Sequence, residues 1–113
     1  MVKRSSEWFR LHEKSMSLSS QATIALKLGD IKEAQGFYRE SAQFERQFLE
    51  ALPPNAAQLI SITVVSVAAL LFKAGDFEEA RSFIQDWIDR PFIEDWPKIQ
   101  LENIVDILET IGA

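Results

Sequence analysis

The sequence predicts an all-α protein built from about five helices. Apolar residues recur at three- and four-residue spacing over most of the 113 residues, turn signals are few and evenly placed, and the segment Leu28-Gly29-Asp30 has a counterpart in Ala74-Gly75-Asp76. The spacing is typical of amphipathic helices, and no stretch has the alternation that a pair of hairpin strands would show. The predicted helices span about 6–28, 31–51, 56–74, 77–89 and 97–111.

The first predicted helix is interrupted by small polar residues. Ser15, Ser17, Ser19 and Ser20 fall in its middle, and serine is only a moderate helix former. Apolar residues nevertheless keep helical spacing across them. We therefore interpret the serines as a small-residue face that lets a neighbouring helix approach closely, with a break in the helix as the alternative.

The third predicted helix lies in a stretch, residues 53–72, that contains no charged residue. A membrane span needs about 20 predominantly apolar residues, whereas residues 56–72 give 17 and include Gln58, Ser61 and Thr63. We interpret the segment as a helix buried by its neighbours. A buried strand is the alternative, because residues 60–65 are rich in β-branched side chains.

The remaining three helices are amphipathic, with their apolar residues on one side. The stripes run through Ile31, Ala34, Phe37, Tyr38, Phe44, Phe48 and Leu49 in the second helix, through Phe77, Ala80, Phe83, Ile84 and Trp87 in the fourth, and through Leu101, Ile104, Val105 and Leu108 in the fifth.

One turn signature occurs twice, 46 residues apart. Its glycine can adopt the left-handed conformation that ends a helix, and the aspartate that follows can cap the next helix with its side chain. A glutamate three residues later would complete a capping box, and the alanine after it leaves room for close packing. The two copies are Gly29, Asp30, Glu33 and Ala34, then Gly75, Asp76, Glu79 and Ala80.

This helical hairpin resembles the tetratricopeptide repeat (TPR) family. The family pattern places a small residue seven positions before the turn glycine, an alanine five after it and a large apolar residue nine after it. The chain has Ala22, Ala34 and Tyr38 in the first copy, and Ala68, Ala80 and Ile84 in the second.

The resemblance covers about residues 15–91, and the length of 113 residues predicts a single domain over residues 1–113. It would contain hairpin 1 at about 6–51, hairpin 2 at about 56–89 and a C-terminal capping helix at about 97–111. A TPR repeats at about 34 residues, but the spacing here is 46. The two divergent repeats are therefore expected to form either a fragment of a TPR-like right-handed superhelix or a compact bundle. Microtubule-interacting-and-trafficking domains share a similar hairpin signature.

TPR-like folds are mostly binding scaffolds, so the resemblance implies a protein or peptide partner. The positions at which some TPRs hold a peptide carboxylate with Lys and Asn are Ser19, Thr23, Val65 and Ala69, so that clamp is not predicted. Lys27 and Lys73 form the one matched basic pair. They are candidates for binding an acidic peptide, with favourable placement near helix C-termini as the structural alternative.

A second candidate contact lies between the fourth and fifth helices. Phe92 and Trp96 occupy a connection where polar residues would be ordinary, with Glu94 and Asp95 between them. They could pack on the core, or they could form an exposed aromatic anchor of the kind that dominates interface hot spots.

The net charge of −5 is unevenly distributed: +3 over residues 1–28, −2 over 29–52, +1 over 53–75 and −7 over 76–113. The acidic balance argues against general nucleic-acid binding. The absence of cysteine excludes disulfides and thiolate zinc sites, and it fits a reducing compartment such as the cytoplasm.

No catalytic constellation is recognisable in the sequence. His12 is the only histidine and is interpreted as a solvated helix residue. The late carboxylates Asp86, Asp89, Glu94 and Asp95 lack the spacing of a calcium loop. We therefore predict a protein that is not an enzyme and has no cofactor or metal.

The sequence thus favours a non-catalytic adaptor that binds a protein or peptide, or its own copy as a homodimer. A ligand-binding or sensor bundle is one alternative. Peripheral membrane association through the basic first helix, with Lys3, Arg4, Arg10 and Lys14, is a weaker one.

Overall fold

The computed structural model describes residues 2–112, with side chains from residue 7 onward. Five helices account for 81% of the chain, and the described residues contain no strand, so the all-α prediction is confirmed. The helices are α1 (Val2–Lys27), α2 (Ile31–Ala51), α3 (Ala57–Lys73), α4 (Phe77–Trp87) and α5 (Asp95–Thr110).

The helix bounds differ from the predicted ones most at the start of α1, and by two residues at the end of α4 and the start of α5. Helix α1 begins four residues earlier than predicted and is unbroken across its serines. Helix α5 begins at Asp95, so Pro97 lies inside its first turn. Proline is tolerated there because the first N–H groups of a helix have no intrahelical acceptor.

The odd-numbered helices run parallel to one another. Arg39 of α2 bonds to Asp76 just after α3, so α2 is antiparallel to α3 as well as to α1. The Ser61 hydroxyl lies 3.3 Å from the backbone nitrogen of Glu94, which places the start of α5 beside the start of α3. Helix α1 packs on α2 alone, while α3 contacts α2, α4 and α5.

The molecule is flat, with principal extents of 42 × 30 × 18 Å. The smallest extent fits two layers of helices packed about 8–10 Å apart. We assign α1, α3 and α5 to one side and α2 and α4 to the other; α3 and α5 are in direct contact, whereas α1 is joined to α3 through α2.

Small residues at the hairpin contacts let the helices approach closely. The alanines at the repeated positions are fully buried, and the large residue nine positions after each turn glycine is also in the core. This holds for Ala22, Ala34, Tyr38, Ala68, Ala80 and Ile84.

Both repeated turns end the preceding helix in the same way. The N–H of Gly29 donates to the carbonyl of Leu26 at 3.0 Å, and the N–H of Asp30 donates to that of Ala25 at 2.9 Å. The turn around Gly75 repeats both bonds, and both glycines have φ of 82°. This pair of bonds is the Schellman motif.

The predicted capping box does not form at either turn. The Asp30 side chain caps α2 as expected, by accepting a bond from the Glu33 N–H. At Asp76 the predicted side-chain cap is wrong, because Arg39 occupies both carboxylate oxygens. Glu79 is paired with Arg46. A glutamate cannot reach back to the Asp N–H in either turn, since the Schellman bond already uses that donor.

Arg39 joins the first hairpin to the second turn. Its guanidinium donates to Asp76 at 2.8 and 2.9 Å and to the carbonyl of Ala74 at 3.2 Å. The Asp76 carboxylate raises the pKa of Arg39 through this hydrogen bond and through its charge.

Polar groups are buried where α1 meets α2. The Ser41 hydroxyl donates to the carbonyl of Ser15 at 2.7 Å and lies 2.9 Å from the Ser15 hydroxyl, so α2 approaches closely at Ser15. Ser17 and Ser20 are exposed, so the predicted serine face is confirmed only at Ser15. His12 is not simply solvated: its Nδ1 lies 3.1 Å from the buried Glu45 carboxylate, and its ring packs on Phe48 at 5.1 Å.

Replacement of either turn glycine by alanine is expected to destabilise the fold. A positive φ costs an L-residue about 1–2 kcal/mol, so Gly29→Ala should lower the free energy of unfolding by about 1 kcal/mol. Gly75→Ala should lower it further, because the added Cβ would lie 3.0 Å from Nε2 of Gln35, whereas nothing lies within 4 Å at Gly29. Urea unfolding followed by circular dichroism measures both. Gly36→Ala, in the helical interior of α2 with open space around the added Cβ, is the control and should not destabilise.

Candidate partner-binding surface

The exposed side of the odd-numbered helices carries a row of large apolar residues. Met16, Ile62 and Ile99 each lie 13 residues before a glycine of positive φ, so they occupy equivalent positions on three parallel helices. All three are about half exposed. Leu59 and Trp96 extend the row by one helical turn on α3 and α5, and we call these five residues the odd-helix face.

The odd-helix face points away from the even-numbered helices. On α3 the sides next to Ile62 are buried: Thr63 and Val67 are in the interior, and so is Ser61, which bonds to the segment before α5. Ile62 and Leu59 lie on the remaining side. Helices α3 and α5 are in contact and begin side by side, so these two side chains and the Trp96–Ile99 pair lie near the starts of adjacent helices.

Carboxylates border the odd-helix face along α5. Asp95, Glu102, Asp106 and Glu109 follow one edge of the Trp96–Ile99 stripe, and all four are exposed. No ion pair among the described residues uses any of them. A partner of opposite charge would therefore not have to displace an internal cation.

The two aromatic candidates are not part of the core. Trp96 is 63% exposed and Phe92 is 38% exposed, with the Phe92 ring edge-on to Trp87 at 6.3 Å. The buried residue of this connection is Ile93, which sequence reasoning did not single out. Ile93 is one buried residue between exposed neighbours in a non-helical segment, so no repeated spacing of apolar residues pointed to it.

The two lysine candidates lie at the ends of α1 and α3. Lys27 is exposed at the end of α1, and Lys73 lies over the Tyr38 ring at 5.6 Å. The hydroxyl of the same tyrosine lies 3.5 Å from Oγ1 of Thr23 on α1. The role of the two lysines as a pair of charges for an acidic peptide stays a prediction.

A cavity of about 270 Å³ opens on the opposite side, between α2 and α4. Its cations are already engaged: Arg46 pairs with Glu79 at 3.1 Å, and Arg90 stacks over the Trp87 ring at 3.7 Å. The Arg46–Glu79 pair joins α2 to α4, while Arg90 is held against α4 itself, so neither cation is free to bind a ligand in this cavity.

The sequence also raised a metal site and a membrane contact. Over the described residues no group of three or more His, Asp or Glu is placed to hold a metal ion. No described helix is both long enough and apolar enough to span a bilayer. The membrane hypothesis depends partly on Lys3 and Arg4, whose side chains lie outside the described residues.

Comparisons with protein-family models, with curated proteins and with solved structures gave no match for this chain. The candidate surface is therefore defined by its own geometry: an exposed apolar row, at equivalent positions of parallel helices, with an acidic edge.

Proposed function

We propose that this chain is a TPR-like, non-catalytic protein-interaction module whose odd-helix face binds a protein or peptide partner. The observation that carries the proposal is the exposed apolar row on α3 and α5. Monomeric soluble proteins rarely expose contiguous apolar patches larger than a few hundred Å², and tryptophan is among the residues most enriched in interface hot spots.

Support for the TPR-like part of the proposal comes from the turns and the helix order. The chain repeats one Schellman turn, buries alanine at both matching positions and joins its five helices in antiparallel succession. In such a scaffold the first helices of successive hairpins supply the binding surface. The 46-residue spacing and the lack of contact between α1 and α3 are departures from the family pattern.

An affinity-capture experiment with matched variants tests the proposal. Ile62→Glu and Trp96→Ala should each lower recovery of a specific protein from the native cell extract by at least about tenfold, because loss of an interface anchor of 2 kcal/mol or more has that effect. Ile31→Glu is the control, since Ile31 is 61% exposed but lies at the start of α2, in the other layer.

The captured protein is then purified and its affinity measured by calorimetry. Equal affinity for the wild type and Ile62→Glu would overturn the proposal, provided that circular dichroism shows both variants to be folded. Both residues are exposed, so neither substitution removes core packing.

A further inference from the structure

We propose that the partner on the odd-helix face is a second copy of this chain, in a two-fold dimer that sets α1 of each protomer against α5 of the other. The inference rests on the proposed function, because it names the occupant of the same surface. In such an isologous contact α3 faces α3 near the symmetry axis.

Charge complementarity selects this arrangement. Helix α1 carries five Lys and Arg against two Glu, a net +3, and α5 carries four acids against Lys98, a net −3. Helix α3, between them, has Lys73 as its only charged residue. In the two-fold dimer each basic α1 faces an acidic α5 of the other copy, and the two α3 helices face each other. The opposite orientation would set α5 on α5 and place like charges together, which disfavours binding.

The charges on these two helices are free to act between copies. Arg10 and Lys27 on α1 and Glu102 and Asp106 on α5 are exposed, and no ion pair among the described residues uses them. On the even-numbered helices two arginines are paired inside the protomer, Arg39 with Asp76 and Arg46 with Glu79. The four exposed charges on α1 and α5 are therefore available for contacts between copies.

The apolar area is of the size that a dimer needs. Five large side chains, each about half exposed, present roughly 100 Å² apiece, or roughly 500 Å² per protomer. A standard interface buries about 800 Å² per partner, and about 65% of a homodimer interface is apolar. The odd-helix face thus supplies about the expected apolar share.

Sedimentation of the purified full chain tests the dimer. The wild type should sediment at high micromolar concentration as twice the 12.9 kDa protomer. Its dissociation constant should rise at least about tenfold when salt is raised from about 0.05 to about 0.5 M, because exposed charges are then screened. Ile62→Glu should be monomeric, whereas Ile31→Glu should remain dimeric.

A charge swap identifies the facing helices. The double variant Arg10→Glu, Lys27→Glu makes α1 acidic like α5. The double variant Glu102→Lys, Asp106→Lys makes α5 basic like α1. Each variant should be monomeric when it is alone, because like charges then face each other. An equimolar mixture should recover the dimer, since each acidic α1 then meets a basic α5 and each acidic α5 meets a basic α1. Lys32→Glu, an exposed charge reversal on α2, is the control and should sediment as the wild type does.

Any one of three results would overturn the second-copy proposal. The wild type could be monomeric at low salt, or its mass could grow beyond two protomers as the concentration rises. The third is that either double charge variant forms a dimer in the absence of the other. None of these decides the proposed function. A monomer whose Ile62→Glu variant still loses a captured partner would retain the function and exclude only the self-association.

Discussion

Replacement of Leu101 by alanine is expected to lower the free energy of unfolding by about 3 kcal/mol. Leu101 is fully buried on α5, the helix that packs against both α3 and α4. Removing most of its side chain leaves a cavity in addition to the lost burial, and both effects weaken the attachment of α5 to the rest of the fold. Urea unfolding of the wild type and the variant, followed by circular dichroism, measures the difference.

Ile99→Ala on the same helix is the matched control. Ile99 is half exposed on the odd-helix face, so its truncation should change the free energy of unfolding by less than about 1 kcal/mol. Equal losses for Leu101→Ala and Ile99→Ala would contradict the assignment of one residue to the core and the other to a binding surface. If dimerisation stabilises the fold, the comparison is made in high salt, where the proposed dimer dissociates.

The second large effect is expected at the contact between α1 and α2. His12→Ala should lower the free energy of unfolding by about 2 kcal/mol, because it removes the side chain that bonds to the Glu45 carboxylate. The Glu45 side chain is only 3% exposed, so water replaces the lost partner poorly. The packing of the His12 ring on Phe48 is lost as well. Thermal and urea unfolding at constant pH measure the effect.

Two further variants separate the polar contribution from the packing contribution. His12→Gln keeps a hydrogen-bond donor near Glu45 and should be less destabilising than His12→Ala. Glu45→Leu in the His12→Ala background removes the buried charge and should restore part of the lost stability. If neither variant is more stable than His12→Ala alone, the Glu45 carboxylate is not the source of the effect.

Local sequence features predicted the helices and turns well. The Gly-Asp turns at Gly29 and Gly75 depend on hydrogen bonds within six residues and on a φ that favours glycine, so the residues themselves specify them. The alanines at the hairpin contacts were likewise recognisable, because their spacing from the turn places them on the packed side. Both features are short-range, and both are confirmed.

The partners of the polar side chains could not be predicted in the same way. Asp76 binds Arg39 from 37 residues away, and Glu45 binds His12 from 33 residues away. An aspartate after a turn glycine predicts a helix cap from the local sequence alone. At Asp76, however, the Arg39 guanidinium on α2 forms two charged hydrogen bonds with the carboxylate, and the cap does not form. The capping box failed because the backbone donor was already used.

The candidate surface depended on both kinds of information. The sequence singled out Trp96 and the division into a basic first helix and an acidic last third, and it left open whether Phe92 and Trp96 were core or interface. Exposure of both residues, and the alignment of Ile62 with Ile99, required the parallel placement of α3 and α5. The role of Lys27 and Lys73 as a matched basic pair stays a prediction.

By itself, then, the sequence determined the all-α class, the five helices and the two glycine turns, because hydrophobic periodicity and turn chemistry act over a few residues. Only the tertiary structure decided which carboxylates are paired, which aromatic residues are exposed and which apolar residues lie together on the odd-helix face. Those properties depend on contacts between residues more than 30 positions apart, and the spacing of residues along the chain carries little information about them.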